Sequence, residues 1–121
     1  MDFKTTVPIW LQVAHEIKSD IVSGKLQPGE KMQSSRSLAV QYAINPNTAA
    51  RVYQELERDG VCETRRGLGT FVTEDETKIR LLRHEMAMEA VETFLQTMKT
   101  LGIFQNEAMN MLTQWKEKEH A

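Results

Sequence analysis

Between Pro46 and Gly60, the side chains of Asn47, Thr48, Arg51, Gln54 and Glu55 fall at spacings that set them apart from Ala49, Val52, Tyr53 and Leu56 on a helix. The segment carries its own helix signals. Asn45 is a good N-cap and Pro46 a good first helical residue, with φ preset and no amide proton to satisfy, while Gly60 marks the stop. The predicted helix therefore turns an apolar stripe inward and amides, a hydroxyl and a guanidinium outward at its front. Those groups match the donors and acceptors that base edges present in a DNA major groove. Arg36 upstream and Arg65 and Arg66 downstream add cationic groups suited to phosphates. The chemistry implied is recognition of a nucleic-acid duplex. Nothing suggests catalysis: there is no phosphate-cradling loop, no carboxylate pair in a Gly-rich setting and no Ser/His/Asp pattern.

The elements that must hold these residues can be read outward from them. Residues 8 to 23 predict a first helix, with Ile9, Val13, Ile17 and Ile21 on one face and Gly24 at its end. Pro28-Gly29 is a turn, and Ser34 or Ser35 caps a short helix running to about Tyr42. Ala43-Ile44 makes the tight connection to Asn45, with Ile44 expected to plug the angle between the two helices. After Gly60, Val61 to Arg65 read as a strand, Arg66-Gly67-Leu68-Gly69 as its turn, and Thr70 to Thr73 as the return strand. So small a hairpin needs Phe71 and Val72 packed on the helices. The glycines at 67 and 69 serve turn geometry first, because positive φ costs glycine little.

From Glu74 the pattern changes. Ile79, Leu82, Met86, Ala90, Phe94, Met98 and Leu101 mark one stripe of a long helix. Leu81, Met88, Val91 and Leu95 widen it beyond what one neighbour can cover. Past Gly102, residues Phe104, Ala108, Met111, Leu112 and Trp115 form a second amphipathic helix, expected to fold back as a hairpin. A pair of helices this apolar calls for a second copy of the chain, a homodimer. The expected division is therefore 1–73, a DNA-binding head, and 74–121, a helical dimerisation segment.

The chain has 121 residues, 40% of them hydrophobic and 26% charged, as in ordinary soluble domains. No apolar run is long enough to span a membrane and the start lacks a signal peptide's apolar core, so a cytoplasmic location is expected. The single cysteine, Cys62, excludes an internal disulfide and reads as a small buried residue. His15, His84 and His120 are scattered without metal-ligand spacing, so no metal or cofactor is expected. Net charge is −2, unusual for a DNA binder. Residues 1–73 carry nine Lys/Arg against eight Asp/Glu, and residues 74–121 carry six against nine. DNA binding thus requires that Arg36, Arg51, Arg65 and Arg66 gather on one face.

Residues 24–39, Gly24-Lys25-Leu26-Gln27-Pro28-Gly29-Glu30-Lys31-Met32-Gln33-Ser34-Ser35-Arg36-Ser37-Leu38-Ala39, resemble the signature of the GntR family of bacterial transcription regulators. So do Ile44, the Asp59-Gly60 stop and the Gly67-Leu68-Gly69-Thr70-Phe71-Val72 wing. The Asn45-Pro46-Asn47-Thr48 start with Arg51-Val52-Tyr53-Gln54-Glu55-Leu56 resembles the YtrA subfamily, whose short two-helix C-terminal segment matches the length here. Gln33 departs from the family's usual proline, which bears on the rigidity of that turn. The resemblance implies a mainly α fold with a small β-wing: a winged helix-turn-helix followed by a two-helix dimerisation hairpin. It also implies DNA contacts at Arg36, Asn45, Asn47 and Thr48 and at the wing tip, Gly67 and Gly69. The family's recognition-helix arginines fall at Pro46 and Ala50, so sequence preference should differ from that of relatives carrying them.

The expected function is a dimeric DNA-binding transcription regulator, a repressor acting on a two-fold symmetric operator, with an effector left open. The competing reading is a winged-helix protein-interaction module without DNA binding, supported by the negative net charge. Each site residue also has a plainer role: Arg36 and Arg51 as solvated charges, Asn45 as a cap, Arg65 and Arg66 as guards of a short strand edge.

Overall fold

The computed structural model describes residues 1–120, without the side chain of His120. Five helices and one hairpin follow in the order α1 (Ile9–Val22), α2 (Ser35–Tyr42), α3 (Pro46–Arg58), β1 (Cys62–Arg65), β2 (Gly69–Val72), α4 (Glu76–Thr100) and α5 (Gln105–His120). Two compact units arise, Met1–Arg83 and His84–Ala121. The first turns of α4 thus group with the winged unit, whereas the change of sequence pattern falls at residue 74. Leu82, near the end of that stretch, is buried.

The helix boundaries follow their caps. Ser34 accepts the amide of Ser37 to start α2, and Asn45 accepts the amide of Asn47 at 2.8 Å to start α3, with Pro46 in the first turn. Pro8 precedes α1 as its cap, one residue outside the helix. Ala43 closes α2 in the left-handed region, at φ 53 and ψ 47, where glycine is the usual occupant. That reversal lets α3 pack back on α2. Ile44 is half-buried beside it.

The head's core is built from the predicted stripes. Val13, Ala14, Ile17 and Ile21 of α1 meet Ala49, Val52, Tyr53 and Leu56 of α3, and Leu38, Ala39 and Tyr42 of α2 close the third side. Leu56, Val52 and Ala49 are fully excluded from water. The Lys18–Asp59 ion pair, at 2.5 Å, ties α1 to the end of α3. Tyr53 extends from the core to donate its hydroxyl to the carbonyl of Gln33. Gln33 in turn accepts from Ser37 Oγ at 2.7 Å and donates to Gln41. Side-chain bonds to α2 thereby hold the turn that the family's proline would stiffen.

β1 and β2 pair antiparallel, Cys62 opposite Val72 and Arg65 opposite Gly69. The wing is broader than two strands. Gly29, Met32 and Val72 donate amides to the carbonyls of Val72, Thr70 and Glu30, with Lys31 bridged to Phe71, so residues 29–32 cover the free edge of β2. Val61, Cys62 and Val72 anchor the hairpin to α3, while Phe71 is only half-buried. Burial pushes the Cys62 thiol up to about 12, with the nearby Glu57 carboxylate adding to it, which makes Cys62 an inert packing residue at neutral pH.

In the C-terminal unit the chain turns at Gly102, where Ile103 and Gly102 donate to the carbonyls of Met98 and Lys99. Met98 and Ala108 are buried. Phe104, Leu112, Trp115, Met88 and Val91 remain exposed, Trp115 at 64% and Phe104 at 67%. Helix-to-helix packing here is slight beside that of α1, α2 and α3.

Candidate nucleic-acid interface

A helix offers bases one stripe, and on α3 the stripe opposite Ala49, Val52, Tyr53 and Leu56 is Asn47, Arg51, Gln54 and Arg58, all exposed. Thr48 lies on its flank and is half-buried. Glu55 departs from the outward placement expected from its helical spacing: it is buried, only 8% exposed, and accepts from Arg58 at 2.6 Å. Its angular position borders the apolar stripe, and the ion pair offsets the loss of water. The correction favours an anion partner, because a carboxylate is withdrawn from the outward face.

The arginines divide by what holds them. Arg36, in the first turn of α2, and Arg66, at the wing turn, are exposed and have no carboxylate within ion-pairing distance among the described residues. Arg51 is likewise unpaired, but its guanidinium carbon sits 4.3 Å from the centroid of the Trp10 ring, on α1. Arg65 differs. It donates to Glu63 at 2.9 Å and lies 4.4 Å over the Phe71 ring, so the wing itself absorbs its charge and its face. Arg65 is thus partly held within the wing, and Arg66 is the freer cation of the pair.

Asn45 spends its carbonyl oxygen on the cap of α3, leaving its amide group to face outward. Gly67 and Gly69 take φ of 78° and 119° at the wing tip, and between them Leu68 stands 62% exposed. A β-carbon on Gly69 would come within 3.0 Å of Lys31 Cε, so glycine there lets Lys31 lie along the wing. Lys31 is an exposed cation at the wing base that sequence patterning misses, because its neighbourhood is created by the pairing of residues 29–32 with β2. Nor did any local signal announce Trp10, which reaches Arg51 only through the packing of α1 on α3.

The arrangement is a polar helix face flanked by cationic groups from α2 and the wing, all in one unit. Residues 10–72 match the family described as bacterial regulatory proteins, gntR family. The chain belongs to the GntR family. It is similar along nearly its whole length to the uncharacterised HTH-type transcriptional regulator YhcF of Bacillus subtilis, 39% identical over 115 residues and covering 95% of each chain. It is also 39% identical over 88 residues to the HTH-type transcriptional repressor YtrA of the same organism, over 73% of this chain and 67% of YtrA. Among solved structures, a GntR family transcriptional regulator from Listeria monocytogenes superposes with a TM-score of 0.83 at 35% identity, covering 93% of this chain and 98% of its own. The GntR match covers the winged unit, and the Listeria structure extends the likeness through α4 and α5.

Proposed function

We propose that this GntR-family regulator is a homodimeric repressor that binds a two-fold symmetric operator. α3 lies in the major groove, Arg36 and Arg66 rest on phosphates, and the Gly67–Gly69 tip lies near the minor groove. The observation that carries this reading is the outward stripe of α3, where Asn47, Arg51 and Gln54 are exposed opposite the apolar stripe and Glu55 is turned away. Asn45 and Thr48 contribute from the helix start, and Arg65 acts by stiffening the wing. The YtrA relative is a repressor, which supports that sense of regulation here. Dimerisation through the exposed apolar residues of α4 and α5 supplies the symmetry: two half-sites spaced by about one helical turn match a two-fold protein.

Selection from a pool of random duplexes with the purified chain tests the proposal. Enrichment of inverted repeats is expected. A pool that stays random through successive rounds favours the interaction-module reading instead.

A further inference from the structure

We infer that Trp10 positions Arg51, fixing the plane of its guanidinium so that its N–H edge faces the base pair it reads. The inference rests on the reading of α3 as the recognition helix. Arg51 stands over the indole with its carbon 4.3 Å from the ring centroid. At this distance a guanidinium can lie with its flat face against the indole. All five N–H groups lie in its plane and point along the edges, so stacking and hydrogen bonding to a guanine's two acceptors do not compete.

Trp10 is well placed to act as a fixed platform. It occupies the first turn of α1, is half-buried, and belongs to a helix packed closely on α3. Two residues on, the Gln12 amide accepts from the Lys4 backbone at 2.9 Å and donates to the carbonyls of Lys4 and Val7, pinning the chain that enters this turn. A free arginine loses much rotamer freedom when it binds; one already stacked loses less.

The other arginines provide the contrast. Arg65 also lies over an aromatic ring, Phe71, but one of its nitrogens is already bonded to Glu63. Among the described residues Arg36 and Arg66 have free edges and no aromatic platform, which suits phosphate contacts without directional demand. Among these four arginines, Arg51 combines an aromatic platform with unbonded N–H groups. A residue of the first helix, outside the helix-turn-helix, thereby sharpens sequence reading.

The test compares Trp10→Phe and Trp10→Leu, since both keep an apolar side chain at the site but only phenylalanine keeps an aromatic face. Each variant, with Arg51→Ala and the Trp10→Leu/Arg51→Ala double variant, is used to select from one random duplex pool, and thermal unfolding is followed in parallel. Arg51→Ala is expected to erase preference at one base pair in each half-site. Trp10→Leu should weaken that same preference about two- to fivefold, leaving other positions and the salt dependence unchanged, while Trp10→Phe largely preserves it. The double variant should match Arg51→Ala. A Trp10→Leu effect spread equally over all positions, or tighter binding on release of Arg51, overturns the inference. If Arg51→Ala relaxes preference and Trp10→Leu does not, only the role of Trp10 fails. If Arg51→Ala changes no preference, the base-reading role of Arg51 fails with it.

Discussion

Leu112→Glu is the sharpest perturbation of the proposed dimer. Leu112 lies on α5 and is 52% exposed in the single chain, so about half of its surface is still available for burial against a partner. Burying a whole leucine side chain is worth about 1.5–3 kcal/mol, and the available half about 0.8–1.5 kcal/mol. A two-fold interface uses each position twice, which brings the loss to about 1.5–3 kcal/mol per dimer. The dissociation constant should therefore rise by roughly one to two powers of ten, more if the new carboxylates are desolvated. Sedimentation equilibrium across micromolar concentrations measures this directly. Because Leu112 is exposed in the chain itself, the unfolding free energy of the monomer, measured at concentrations below the dissociation constant, should change by no more than about 0.5 kcal/mol. Trp115→Ala, at a position 64% exposed, repeats the test one turn away. Unchanged dimerisation in both variants would refute the use of this face of α5.

Three other outcomes follow from the same structure. Arg66→Ala should weaken binding to every duplex about equally and flatten the salt dependence, against a wild type that loses roughly three to five powers of ten between 50 and 200 mM salt if it makes about 6 to 10 phosphate contacts; anisotropy titrations on selected and scrambled duplexes decide it. Ala43→Gly should raise the unfolding free energy by about 0.5–1 kcal/mol in urea titrations, since relief of the left-handed strain at φ 53° outweighs glycine's greater freedom when unfolded. Folding raises both the Cys62 thiol, from 9.0 to about 12, and the Tyr53 phenol, from 10.0 to about 12. Their contribution to stability is thus whole below pH 9 and lost as pH climbs toward 12, so urea midpoints should hold from pH 7 to 9 and then fall. A rise over that upper range would contradict the burial assigned to both groups.

What the sequence made legible was local. Ser34, Asn45 and Pro46 announce helix starts through backbone chemistry that acts within three residues, and Gly67 and Gly69 announce a turn in the same way. The apolar stripes of α1 and α3 were legible because burial repeats with the helix period. What stayed hidden was made by the tertiary fold. Residues 29–32 show no strand alternation, yet backbone pairing alone joins them to β2. Glu55 reads as outward by its spacing, yet it borders the apolar stripe closely enough that pairing with Arg58 lets it be buried. Arg65 and Arg66 are alike in sequence, and only the folded wing sets them apart by placing Glu63 and Phe71 against Arg65. For Gln33, composition raised the question of a loosened turn; Tyr53, Ser37 and Gln41, brought around it by the fold, answer it.

Methylation interference on a duplex recovered by selection puts the central claim, that α3 reads bases in the major groove, to the most direct test. Methylation of guanine N7 blocks a major-groove acceptor and methylation of adenine N3 a minor-groove one. The account predicts strong N7 interference at symmetric positions in the two half-sites, about one helical turn apart, lost at one position per half-site in Arg51→Ala. Interference confined to adenine N3, or none at any base, would contradict it.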